Sequence, residues 1–341
     1  MRYLGVDLHT NMFETCWRSE SGSERMTTHK TTCILDFVWK LKKDDVIAVE
    51  ATGNALWFVD SVKAHVKKVV VVDPNKFQVI KKSTNMNDEK AAKTLAFFLS
   101  KDMLPKARLK MGKDAELSSV VATRDRLVKL RTVLYNKIHN ILNAHGDKSR
   151  KKEYGTEKGL ASLEKRLETA MISSMTKIEL EVVISEIRSL NVNIKKLEAC
   201  MVDEGSKMDG HANLASIKGI GDKAATILLT EIGNVNDFED ENKLAAYFGM
   251  VPKVSRSNET VHYGRITRKG SKIGRTTMVQ CGLIAKRYSP YLAKFYERIR
   301  KRRGTAKAII AVARKLLTIV YYTLKEKRIY TDFAKYEFVT T

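Results

Sequence analysis

The chain has 341 residues and carries 62 Lys and Arg against 39 Asp and Glu, a formal charge of +23. That balance favours a phosphate-rich partner, and no apolar run approaches the roughly 18 to 20 residues of a membrane span. At 43% hydrophobic residues it can bury a core in each of two or three domains, while Cys16, Cys33, Cys200 and Cys281 form no CxxC pair, which argues against structural zinc or a disulfide framework and for a reducing cytoplasm.

The chain opens directly on Tyr3-Leu-Gly-Val-Asp-Leu, with neither a signal-type apolar stretch nor a transit-type amphipathic helix. Strands are predicted over residues 3–8, 46–50 and 68–73, and helical patterns separate the later ones, an α/β order. Met12 to His29, with Ser-Glu-Ser-Gly-Ser in its middle, reads as a hairpin, so the sheet is expected to be mixed. Asp7 shares a strand face with Tyr3 and Gly5, whereas Leu4, Val6 and Leu8 point the other way. Asp7 and Glu50 each end an apolar run. Two strand-borne carboxylates brought to one edge repel unless a cation or proton lies between them, so the pair is a candidate divalent-ion site. Asp73, before Pro74, reads as a turn cap instead. Asp88 starts a helix with Ala92, Leu95 and Ala96 on its buried side. A helix-start acid can serve as a cap alone, and one turn further, on the same face, the chain has Ala91.

From Lys113 to Ala144 a helix is predicted, with Leu127, Leu130, Leu134, Ile138, Ile141 and Leu142 at helical spacing, basic residues such as Arg124, Arg126, Lys129 and Arg131 around them, and Gly146 as the stop. A second helical block runs from about 157 to 203. Its residues Leu180, Ile184, Ile187, Leu190, Ile194, Leu197 and Met201 form a near-heptad seam that suits either a hairpin within the chain or a coiled coil between chains. Gly205 to Gly210 reads as a linker. Leu214 to Ala225, with Gly219 and Gly221, has the small-residue turn of a helix-hairpin-helix, whose amides can approach a phosphate. Between Lys253 and Arg275 lie seven basic residues, Lys253, Arg256, Arg265, Arg268, Lys269, Lys272 and Arg275. They suit a nucleic-acid backbone. On composition alone this is a binding loop: its serines have no His-Asp pair nearby, and His262 is its only histidine.

Taken in order, Gly5-Val-Asp-Leu-His, Val49-Glu-Ala-Thr-Gly, Asp88 with Ala92-Lys-Thr-Leu-Ala, Leu127-Val-Lys-Leu-Arg-Thr, Asn136-Lys-Ile-His-Asn, Gly219-Ile-Gly, Tyr247-Phe-Gly-Met-Val-Pro and Gly264-Arg-Ile-Thr-Arg-Lys-Gly cover almost the whole chain. With them it resembles the DEDD recombinases of the insertion-sequence-110 family, which include Piv-type DNA invertases and bridge-RNA-guided transposases. The resemblance implies a RuvC-like, RNase H-type α/β domain over 1–112, a helical coiled-coil region over 113–205 and a mostly α, serine-bearing transposase domain over 206–341. It implies Mg²⁺ held by Asp7, Glu50 and Asp88, and Ser257 as the nucleophile that forms a phosphoserine link to DNA. Asn258 replaces the family's usual Gly, and Ser255 is the neighbouring competitor. The family's fourth acid falls at Ala91, by an inactivating substitution or a natural loss.

The implied partners are donor and target DNA, a guide RNA, and further copies of the chain in a dimer or tetramer held by the 157–203 helices, in a prokaryotic cytoplasm. Phosphate contacts are expected from Arg265, Arg268, Lys269 and Arg275, and further nucleic-acid contacts from Lys253, Arg256, Lys272, Arg126 and Arg131. The readings left open beside an RNA-guided transposase are a Piv-like invertase without a guide, a RuvC-type junction nuclease that uses water, and a noncatalytic nucleic-acid-binding protein.

Overall fold

A computed structural model describes residues 1–74, 76–77, 87–147, 153–169, 172–257 and 260–331, with Arg256 and Ser257 described by backbone alone. The chain divides into two compact units, Met1–Met111 and Gly112–Thr341.

The first unit is built on a five-stranded sheet of β1 (Arg2–Leu8), β2 (Met12–Ser19), β3 (Glu24–Lys30), β4 (Val46–Glu50) and β5 (Lys68–Val72), in the order β3-β2-β1-β4-β5. β1, β2 and β3 are joined as antiparallel neighbours, and β4 and β5 add in parallel. Strand alternation sorts the side chains as the sequence predicts. Leu4, Val6, Leu8, Ile47 and Val49 bury one face against Phe37 of α1 (Ile34–Val38) and Phe58, Val59 and Val62 of α2 (Ala55–Val62). Ala48, Val70 and Val72 meet Leu95 and Leu99 of α3 (Asp88–Ser100) on the other face. Gly5 sets how close α3 comes: a Cβ there would stand 2.1 Å from the Ala92 carbonyl oxygen. The absent side chain lets the helix lie on β1, with its first turn beside Asp7.

The second unit is mostly helical, comprising α4 (Gly112–Ala144), α5 (Glu157–Thr169), α6 (Ser174–Ser206), α7 (His211–Ala215), α8 (Asp222–Ile232), α9 (Glu241–Tyr247), the hairpin β6 (Pro252–Ser257) and β7 (Thr260–Ile266), α10 (Lys272–Tyr288), α11 (Pro290–Arg303) and α12 (Thr305–Lys325). α4 and α6 are antiparallel, because partner numbers on α6 fall as those on α4 rise: Arg124 with Glu198, Arg131 with Asn191 at 2.7 Å, Lys137 with Glu179 at 2.6 Å. The α6 seam closes within the chain, with Leu180, Ile184 and Ile187 buried against Ile138, Ile141 and Leu142 of α4 and Leu160 and Leu163 of α5. Gly146, at φ +81°, ends α4 as expected, and the Asp147 amide donates back to the Leu142 carbonyl at 3.0 Å.

Gly205 is no linker. α6 runs through it to Ser206, and a Cβ on it would lie 1.9 Å from Thr226 Oγ1, so this glycine lets α6 touch α8. Gly219, at φ +104°, is packed the same way, since a Cβ on it would stand 2.7 Å from the Ala285 amide nitrogen of α10, whereas Gly221 stays open. α12 forms the centre of the C-terminal core through Ala308, Val312, Leu316, Leu317, Val320 and Leu324. Among the described residues no helix is long and apolar enough to cross a membrane.

Candidate functional site

Asp7 and Glu50 stand at the C-terminal ends of the parallel neighbours β1 and β4, each one residue beyond the Val6–Val49 pair. Alternation puts both on the α3 face, as the next outward positions after Gly5 and Ala48. Asp88 reaches the end of β1 from the helix that covers this face. Asn87 caps α3, its side chain accepting from the Lys90 amide at 2.9 Å, so Asp88 opens the first turn, where the helix dipole favours a carboxylate.

His9 joins the two aspartates. Its Nε2 lies 3.5 Å from Asp7 Oδ2 and 3.2 Å from Asp88 Oδ2, and one donor atom from each of the three residues falls within 4.8 Å of the others. Glu50 stands outside that group of three. Glu14 is a further acid close by, because the β1–β2 register sets it opposite Asp7.

Burial pushes the Asp7 carboxyl above its ordinary range; His9 opposes the rise and the charge of Asp88 adds to it. Glu14 is raised by burial too, with Asp88, Glu89 and Asp7 adding in that order. These acids thus crowd one another at a partly dehydrated sheet end, and a bound cation would relieve the repulsion. Two carboxylates with an imidazole nitrogen also form a donor set that suits a divalent ion. Ala91 is buried on the sheet side of α3 and brings a methyl group where the resemblance leads one to expect a fourth acid.

The basic stretch is a hairpin, not the loop expected from the sequence. β6 and β7 pair antiparallel, with Ser255 opposite His262 and Ser257 opposite Thr260 at its tip, and Lys253, Ser255 and Arg265 are exposed. Asn258 lies outside the described residues. Backbone hydrogen bonds close the hairpin's base: Thr267 donates to Val251 at 2.8 Å, Arg268 to Gly249 at 3.1 Å and Ser271 to Tyr247 at 3.2 Å. Gly270 permits this approach, since a Cβ there would sit 2.0 Å from the Tyr247 carbonyl oxygen. Arg268, Lys269 and Lys272 are exposed. Arg275 is half-buried and donates to the Phe248 carbonyl at 2.9 Å; burial, then the charge of Arg268, lowers it from the usual guanidinium value. In the helical pair Arg126 is exposed, while Arg131 is tied to Asn191.

His9 and Glu14 were not singled out in the sequence. The signal for His9 is its spacing, two residues after Asp7 at the start of the β1–β2 turn. Glu14 could be found only from the turn length that sets the hairpin register.

Comparison with known proteins agrees along the chain. A transposase model of the DEDD, IS110 type matches residues 4–146, and the model described as Transposase IS116/IS110/IS902 family matches residues 211–297. The transposase for insertion sequence element IS1111A of Coxiella burnetii is 24% identical over 338 residues, covering 97% of this chain and 91% of that protein. The pilin gene-inverting proteins of Moraxella bovis and Moraxella lacunata are 24% and 25% identical over 345 residues, covering 96% of both chains in each case. With both parts matched in order and nearly the full length aligned, the chain belongs to the IS110 family of transposases.

Proposed function

We propose that this chain is a site-specific DNA recombinase of an insertion sequence, with a divalent-ion site at the end of a RuvC-like sheet and Ser257 as nucleophile. The observation that carries this reading is the meeting of Asp7 and Asp88, 81 positions apart in sequence, at the end of β1. The strand order β3-β2-β1-β4-β5, with an acid on the central strand, supports the RNase H-type assignment.

Asp7, Glu50 and Asp88 would hold Mg²⁺. Bound there, the ion supplies Lewis-acid polarisation of the scissile phosphate and a lower pKa for the attacking hydroxyl. Ser257 Oγ gives up its proton and attacks phosphorus: an Oγ–P bond forms, the bond from phosphorus to one deoxyribose oxygen breaks, and that oxygen takes up a proton and leaves as a hydroxyl, so one proton is released and one consumed. One phosphoester replaces another, so rejoining needs no ATP. Arg265, Arg268, Lys269 and Lys272 bind the DNA backbone, while Arg275 braces the turn that carries them. A guide RNA would supply the choice of sequence by base pairing, and two or four copies would hold the donor and target ends together.

Incubating the protein with Mg²⁺ and donor and target plasmids, then mapping any protein–DNA adduct by mass spectrometry, tests the reading. An adduct on Ser257 that Ser257→Ala removes and Ser255→Ala keeps is the expected result. Cleavage without an adduct would favour a junction nuclease that uses water. No cleavage, even by an Ala91→Asp protein, would favour a noncatalytic binder. Recombination by Ala91→Asp no better than that of the chain as it stands excludes an inactivating substitution at that position. Sequencing RNA that copurifies with the protein tests for the guide and separates this reading from an unguided invertase. Mixing Asp88→Ala with Ser257→Ala protein tests for protomers that share a site.

A further inference from the structure

We infer that His9 is itself a metal ligand in this chain, taking up the coordination that Ala91 cannot give and shifting the site's preference from Mg²⁺ toward Mn²⁺. The inference rests on the divalent-ion site proposed above and assigns its composition.

Three observations carry it. First, the donor atoms are spaced like ligands of one ion: with metal–ligand bonds of about 2.1 to 2.2 Å, neighbouring ligands of an octahedral ion stand roughly 3 Å apart. His9 Nε2 stands 3.2 Å from Asp88 Oδ2 and 3.5 Å from Asp7 Oδ2. Second, the backbone of His9 is fixed on both sides. Its amide donates to the Met12 carbonyl at 3.0 Å, closing the β1–β2 turn, and its carbonyl accepts from Asn54 Nδ2 at 2.8 Å. A ligand pinned in this way loses little conformational freedom on binding an ion. Third, the helix face that presents Asp88 offers a buried methyl group one turn later, at Ala91. The site therefore has one carboxylate fewer than the four that the resemblance leads one to expect, and a nitrogen donor beside the remaining ones.

Donor chemistry then sets the metal. Mg²⁺ takes oxygen ligands almost exclusively, whereas Mn²⁺, which shares its liking for carboxylates, accepts an imidazole nitrogen beside them, and ions further along the first transition row accept it more strongly still. A simple ion pair between His9 and the aspartates is the competing account of the same distances. It predicts that a metal would displace His9 or ignore it.

The test uses the full chain and the ions alone. Pulsed EPR of bound Mn²⁺, with histidine labelled with ¹⁵N, reads direct coordination. The expected result is a histidine-nitrogen coupling in the unmutated protein, absent from His9→Ala. By calorimetry His9→Ala is expected to weaken Mn²⁺ by about tenfold or more and to leave Mg²⁺ nearly unchanged, while Ala91→Asp tightens Mg²⁺. A Mn²⁺ spectrum without nitrogen coupling in the unmutated protein would overturn the assignment of His9, and needs no variant to fold. If Asp88→Ala abolishes Mn²⁺ binding while His9→Ala binds as before, the divalent-ion site survives and the assignment of His9 fails. If the unmutated chain binds neither ion, both fail.

Discussion

Asp7 occupies a position that is costly to the fold when no ion is present. Its pKa is raised by burial, with Asp88 adding, so the ionised form is destabilising relative to the unfolded chain. A group raised in this way contributes stability that is fully present below its unfolded pKa and is lost as pH rises through its folded pKa. Glu14 carries the same sign. In metal-free protein the contribution of these two acids is therefore expected to fall as pH rises from the ordinary carboxylate range toward neutrality, against the opposite trend of Glu164, Glu198 and Asp203, whose cationic partners hold their carboxyls below the ordinary values. Asp7→Asn should melt higher than the parent by a margin that grows from acid pH to neutrality, read by calorimetry of the two proteins at matched pH. A margin that does not grow would count against the strain at Asp7. Gly5, two residues earlier, fails differently. Gly5→Val drives side-chain atoms into the backbone of α3 at Ala92 and Ala96 and should cost at least about 1 to 3 kcal/mol in urea unfolding, with loss of metal affinity as Asp88 moves away.

Among the elements, the α4–α6 pair separates residues that hold the fold from those that do not. Ile187 is fully buried between α4, α5 and α6, whereas Val192, on the same helix, is 67% exposed. Ile187→Ala should cost about 2 to 5 kcal/mol and Val192→Ala within roughly 0.5 kcal/mol, read from the helical circular-dichroism transition. The seam was legible in the sequence because its period of three and four survives whichever helix covers it. The partner was not, since the same stripe suits a neighbour within the chain or in another copy. The β6–β7 hairpin was illegible for a related reason. Val254, Val261 and Tyr263 are exposed, so no buried face imposes an alternation of period two. Gly205 shows a third limit: a glycine that admits a neighbouring helix looks the same in sequence as one that frees a linker.

Across the whole molecule, the sheet and the nearness of its acids came through the sequence in unequal measure. Leu4, Val6 and Leu8 alternate with Gly5 and Asp7, and that alternation alone assigns the two faces of β1. The approach of Asp88 depends on the packing of α3 over Gly5, a contact between segments some 90 residues apart that no local pattern encodes. Charge belongs to this scale as well. At +23 the protein is expected to bind DNA with an affinity that falls steeply with salt. Replacing Arg265, Arg268 and Lys269 together by Ala should flatten the slope of log affinity against log salt by about 2 to 3 units if each meets a phosphate. A parallel loss at every salt concentration would place their role in folding instead.

The antiparallel course of α4 and α6 has a further geometric consequence. Each helix is 33 residues long, or about 50 Å at 1.5 Å per residue. Its outgoing and returning limbs begin and end together at the C-terminal core, where Leu117 and Val121 meet Met201 and Ile227. The pair is thus a boom anchored at one end, and matched heptads could be spliced into or cut from both limbs. Each such change would extend or retract its tip by about 10 Å, turning reach into a dimension that can be tuned independently of the anchorage.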